Sequence, residues 1–242
     1  MTEIELLAQR AGKKAARAEA GFFEQPSIDT VRSAIDHTLL SSWATTADIE
    51  KLCREAVENS FASVCVPLSL TPAAAAALSG SDVKTSTVVG FPLGSQPLSI
   101  KEAETLWAID NGADEIDAVL SIRHLLENDK PSVREEILAL REASAGKTLK
   151  LILELPLVSN DQAVMAVRIA EQTGVDFLKT GTGYNGGATF FDVAFLRTVA
   201  SDGLLVKASG GIRTLAAAKI MVALGAKRLG TSAALEFLPQ VQ

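Results

Sequence analysis

Three observations predict an α/β fold, a (β/α)8 TIM barrel with an additional N-terminal helix. Eight short apolar segments recur at about 20 to 35 residues, stretches of helical periodicity separate them, and the segments are hydrophobic almost throughout instead of alternating. Strands that far apart with helices between them pair in parallel through crossovers, and continuous hydrophobicity marks strands covered on both faces. Eight such units in roughly 210 residues fit a closed barrel, with an open doubly wound sheet as the alternative.

The elements follow in order. Over 4–20, Ile4, Leu7, Ala8, Ala11, Ala15 and Ala18 fall at helical spacing, while Arg10, Lys13, Lys14 and Arg17 lie mostly on another face that reads as ordinary solvated surface. Strands are predicted at 33–37, 63–66, 85–89, 115–120, 150–154, 177–179, 205–207 and 228–230, each rich in Val, Ile or Leu and closed by a polar residue or a turn. Helices are predicted at 46–59, 100–111, 133–144, 160–173, 190–200 and 214–224. Their expected caps are Thr45 or Thr46, Ser99, Ser132, Ser159 or Asn160, Thr189 and Thr214, and Gly112, Gly174 and Gly225 end three of them. The alanine run 73–77 follows Thr71 and Pro72, a helix start with Thr71 as cap. No linker or composition break divides the chain, so one domain is expected over 1–242, with a helical extension at 1–32 and the barrel at 33–235.

Composition removes several function classes. With 48% hydrophobic residues and a mean hydropathy of +0.23 the chain has ample core, which excludes disorder. A formal charge of −6 argues against a nucleic-acid or anionic-membrane binder, so any anion is held locally. No apolar run approaches the roughly 20 residues of a membrane span, and no secretory signal opens the chain. Cys53 and Cys65 are then expected as buried, reduced thiols in a cytoplasmic protein. With His37 and His124 as the only histidines no zinc spacing exists, and chemistry without a metal is expected.

In a barrel the carboxyl ends of the strands meet at one mouth, which would gather Asp36, Asp117, Glu154, Lys179 and Lys207. Lysine is a costly choice at the end of a buried strand unless its amine is wanted there. Two lysines in adjacent units and the same context, VDFLKTGTG and LLVKASGG, point to amine chemistry. An amine condenses with a carbonyl only when unprotonated, so a lysine nucleophile needs burial and a neighbouring charge such as Lys207. Asp117, facing inward from its strand, would pair with Lys207 and shuttle protons through a water. Asp36 follows the same logic. His37 points the other way as a core histidine, Glu115 is expected in a salt bridge at the strand start, Asp114 in the preceding turn, and Glu154 either pairs with a ring lysine or takes part in catalysis.

Three glycine-rich turns, GTGYNGG (181–187), ASGGIRT (208–214) and GTSAA (230–234), each follow a strand and precede a helix, so their N–H groups can surround a phosphate. The first matches the dinucleotide fingerprint literally. The next strand, however, ends in Lys207 and not in the acidic residue that would bind a ribose.

DHTLL (36–40), SVCV (63–66), VVGFPLG (88–94), GADEIDAV (112–119), LKLILE (149–154), DFLKTGTG (176–183), VKASGGIRT (206–214) and RLGTS (228–232) together resemble the deoxyribose-phosphate aldolases. These are class I, Schiff-base aldolases on a (β/α)8 barrel. The resemblance implies Lys179 as the Schiff-base lysine, Lys207 as the lysine that lowers its pKa, Asp117 as the acid/base carboxylate acting through water, and Asp36 as a member of the relay. It implies a phosphate pocket of Gly183, Gly210, Gly211, Gly230 and Ser232, no metal and no cofactor, with phosphorylated sugar and aldehyde substrates; the apolar N-terminal helix and exposed barrel helices lead us to expect a homo-oligomer, dimer or tetramer. The chain departs from the family pattern at Leu120 and Ser121, at Gly181, at Leu155 and Pro156, and at Ala233, all around the pocket. Three rival functions fit the same residues: a Schiff-base aldolase with another acceptor, a sugar-phosphate isomerase with Asp117 or Glu154 as base, and a non-catalytic sugar-phosphate sensor.

Overall fold

The computed structural model describes residues 1–239, and its eight strands close in chain order into one parallel barrel. The strands are β1 (Ile35–Thr38), β2 (Ser63–Val66), β3 (Lys84–Val89), β4 (Glu115–Val119), β5 (Thr148–Ile152), β6 (Phe177–Lys179), β7 (Leu205–Ser209) and β8 (Ala226–Thr231). The helices are α1 (Glu3–Glu19), α2 (Ile28–Arg32), α3 (Thr46–Glu58), α4 (Thr71–Ala77), α5 (Leu98–Asp110), α6 (Ile122–Leu126), α7 (Lys130–Ala143), α8 (Asn160–Gln172), α9 (Phe190–Val199), α10 (Leu215–Ala223) and α11 (Ala234–Phe237). Expectation and structure agree on the barrel and on the N-terminal helix, whose buried Ala11, Ala15 and Ala18 pack chiefly against α9.

Register decides what fills the barrel. Pairing of Asp36 with Ser63 and Gly230, Asp117 with Lys150, Lys179 with Lys207, and Lys207 with Arg228 puts these residues on the same face of neighbouring strands. With a side-chain period of two, that face points to the axis. The alternate set, Val64, Val66, Ile116, Ala118, Leu149, Leu151, Leu178, Val206 and Leu229, is buried in the apolar core under the helices. The apolar layer is therefore outside the sheet, and the axis carries charge.

Local chemistry sets the helix starts. Thr45 and Asp48, Ser159 and Gln162, and Thr189 and Asp192 form reciprocal capping boxes, and Thr214 caps α10. Three expected caps are corrected. α5 begins after Pro97, so Ser99 lies inside it, and α7 is capped by Asp129, whose carboxylate takes the Ser132 N–H at 3.2 Å. Thr71 is likewise a buried first residue of α4 that makes no cap bond.

Six of the eight strands shift at one or both ends by one or two residues. The first starts at Ile35 because Ser33 ends α2, and the fifth spans Thr148–Ile152 because Glu154 turns into the left-handed region at φ 51°. Among the described residues no helix is long and apolar enough to cross a membrane, and the domain reading of 1–242 ends in three residues outside the described range.

Candidate active site

The axial face of β1, β4, β5, β6, β7 and β8 brings three carboxylates and four cations into one buried network. Asp117 lies at its centre. Its Oδ2 accepts from Lys179 Nζ at 2.7 Å and Lys207 Nζ at 2.8 Å, and its Oδ1 from Lys150 Nζ at 2.8 Å and Ser86 Oγ at 3.2 Å. Asp36 takes Lys207 Nζ at 2.5 Å, Arg228 Nη1 at 2.5 Å and Lys150 Nζ at 3.4 Å. Glu115 takes Arg228 Nη2 at 2.6 Å and Lys150 Nζ at 2.6 Å. Arg228 also stacks over the Phe177 ring, 5.7 Å from its centroid.

Burial fixes the ionisation of the network. Desolvation raises the Asp117 carboxyl, but the ammonium groups of Lys150, Lys179 and Lys207 more than offset it and hold it well below the usual carboxylate range. Asp36 is lowered in the same way by Lys150, Lys207 and Arg228 against its own burial. Burial pushes Lys207 down, yet Asp117 and Asp36 raise it further, so its charge is fixed; Lys150 is held higher still by Asp117, Asp36 and Glu115.

Four cations face three carboxylates, so loss of one proton brings the network to neutrality. Lys179 has one carboxylate partner, against two for Lys207 and three for Lys150.

Lys179 is also the one ring lysine that lines the cleft at the mouth, a cavity of about 340 Å³. The same cleft is lined by Gly183, Gly210, Gly211, Gly230 and Ser232, so the structure brings the five predicted pocket residues together with the predicted nucleophile. Their glycines are required. Gly210 has φ +92°, and a Cβ there would sit 3.0 Å from the Gly183 Cα, so the loops after β6 and β7 pack backbone on backbone. At Gly230 a Cβ would strike the Ser209 Oγ and come within 3.2 Å of Lys207 Cε.

Glu154 departs from expectation. It is buried, but its carboxylate accepts the Thr182 N–H at 3.2 and 3.3 Å and makes no ion pair with a ring lysine. The reason is its left-handed backbone, which aims the side chain at the loop after β6. This also accounts for Gly181, where a Cβ would lie 2.8 Å from Glu154 Oε1.

The placements expected for His37, Asp114 and Glu115 hold. His37 faces α3, with Nε2 2.9 Å from Glu55 and its ring edge-on to Phe61. Asp114, in the turn before β4, accepts the Thr85 N–H at 3.1 Å. Glu115 does form a salt bridge at the strand start.

Sequence reading missed Lys150 and Arg228, though each interrupts an apolar strand at an axial position, as in LKLIL and AKRLG. It also missed Ser209, whose buried Oγ has no protein partner and lines the cleft, and Arg213, which extends the cleft with a guanidinium.

An amine that lines a cleft, a buried carboxylate beside it and a glycine-rich backbone wall fit an enzyme that makes and breaks carbon–carbon bonds next to a carbonyl, an aldolase of the lyase class. Comparison agrees: the chain belongs to the DeoC/LacD family aldolases, whose model matches residues 30–235. A deoxyribose-phosphate aldolase of Brevibacillus brevis is 45% identical over 199 residues, covering 82% of this chain and 90% of the relative, and one of Streptococcus gordonii is 46% identical with the same coverage. Among solved structures, the deoxyribose phosphate aldolase of Aeropyrum pernix, described as a unique tetramer, superposes with a TM-score of 0.80 at 31% identity over 96% of this chain and 95% of that one.

Proposed function

We propose that this chain reversibly cleaves 2-deoxy-D-ribose 5-phosphate into D-glyceraldehyde 3-phosphate and acetaldehyde through a Schiff base on Lys179. The observation that carries the proposal is the meeting of Lys179 and Lys207 on one oxygen of Asp117, at the floor of the glycine-walled cleft. The amine adds to the sugar aldehyde and loses water, giving an iminium. Asp117 and Lys207 take the C3 hydroxyl proton through a water, C2–C3 breaks, and its electrons enter the iminium to leave an enamine. Protonation and hydrolysis release acetaldehyde and restore the amine. Asp36 holds Lys207 in place, and Gly183, Gly210, Gly211, Gly230 and Ser232 bind the phosphate. The iminium is the electron sink, so the proposed steps use no metal and no organic cofactor.

Borohydride in the presence of acetaldehyde should trap an adduct on Lys179, seen by peptide mass spectrometry. Full activity in Lys179→Ala would sink the assignment. An isomerase that used the lysines only to neutralise phosphate would keep substantial activity in Lys179→Arg, whereas the aldolase loses it. The proposal extends to a single aldolase domain over 1–242 acting as a homo-oligomer in the cytoplasm. Supporting it are the packing of α1 on α9, the exposed Ile100, Leu106 and Trp107 along α5, and the two buried free thiols Cys53 and Cys65.

A further inference from the structure

Phosphate recognition uses only part of the cleft. The rest of its wall includes Leu39, Leu40, Trp43, Phe91 and Tyr184, apolar or aromatic groups that neither a phosphate nor a two-carbon aldehyde requires. One of the chain's two tryptophans and its one tyrosine stand at this mouth, although aromatic residues make up only 5% of the sequence. Trp43 is 81% exposed and Tyr184 65%.

Both are presented on firm supports. Ala44 N–H donates to Ser41 O at 3.1 Å, closing a turn around Trp43, and the capping box of Thr45 and Asp48 follows at once. Tyr184 follows the positive-φ Gly183, donates its N–H to Thr182 Oγ1 at 3.1 Å, and meets Phe91 edge-on at 5.5 Å, a contact that ties the loop after β6 to the loop after β3. An indole held out from an anchored turn, at the rim of a cleft with a reactive amine at its floor, is a preformed surface for an apolar group.

We infer that Trp43, with the Phe91–Tyr184 pair, is a specificity-determining surface for the acceptor aldehyde, and that it admits acceptors bearing an aromatic ring or apolar chain beside the phosphorylated one. This rests on the aldol reading above. In the synthetic direction the enamine carbon on Lys179 bonds to the acceptor's carbonyl carbon, the carbonyl oxygen takes a proton from the Asp117 relay, and water hydrolyses the iminium. The new part is where the acceptor's substituent lies, against the indole face.

The test compares acetaldehyde addition to 3-phenylpropanal and to D-glyceraldehyde 3-phosphate. Trp43→Ser should lower the ratio of kcat/KM for the phenyl acceptor to that for the phosphorylated one by about tenfold, mainly through KM, and Trp43→Phe should restore most of it. Equal losses on both acceptors, no loss, or failure of Trp43→Phe to restore the ratio would overturn the inference. A second readout is independent of chemistry. With Trp107→Phe as background, 3-phenylpropanal should change Trp43 fluorescence even when Lys179→Ala abolishes turnover. An unchanged emission overturns the surface, whereas turnover persisting in Lys179→Ala overturns the Schiff-base reading instead.

Discussion

At the scale of single residues, the balance of charge around Asp117 makes the sharpest predictions. Lys150→Met removes the one cation that faces all three carboxylates. The same substitution leaves Glu115 and Asp36 each short of a buried partner and should cost about 3–5 kcal/mol, read as a drop of roughly 10 °C in Tm. Lys207→Met removes the fixed charge beside the nucleophile and should lower kcat about 100-fold or more with a smaller change in KM. Of this site, Lys179 and Lys207 were legible in the sequence because each closes an apolar run before a glycine-rich turn, and Asp117 and Asp36 because a carboxylate at an inward strand position has to meet a cation. Lys150 was not, because a lysine in mid-strand looks like a flaw in the pattern until register shows which residues share the axis.

Among the elements, the helix starts and the glycine loops carry the design. Thr45→Ala breaks a capping box that anchors α3 and the turn presenting Trp43, and should cost about 1 kcal/mol in thermal or chemical unfolding. Gly230→Ala would press a methyl onto Ser209 and Lys207, and its expected outcome is a raised KM for phosphorylated substrates with the fold retained. Strand and helix order could be read from periodicity, since crossovers and continuous hydrophobicity leave few other topologies. The ends of elements could not: Pro97 and Asp129 start their helices earlier than the serines that follow. The short α2, α6 and α11 carry too few residues for a periodic signal, and Glu154 leaves its strand through a backbone conformation that its residue type does not announce.

For the molecule as a whole, the buried network predicts how stability depends on pH. Asp36 and Asp117 are held below the ordinary carboxylate value of about 3.9, so their contribution is complete above about pH 4 and is lost only as pH falls through the lowered values. Lys150 and Lys207 are held above about 10.4, so theirs is complete below about pH 10 and is lost as pH climbs past the raised values. Calorimetry from pH 3 to 11 should therefore show a broad plateau with losses at both ends. A sharp maximum near pH 6 would mean that other groups dominate. Enclosing these lysines has a further consequence for a catalyst of aldehydes, which condense indiscriminately with free amines. Lys150 and Lys207 are fully buried, while Lys179 alone of the ring lysines lines the cleft. On the proposed mechanism the barrel wall thus acts as a protecting group, sparing Lys150 and Lys207 from the electrophiles that Lys179 meets at every turnover.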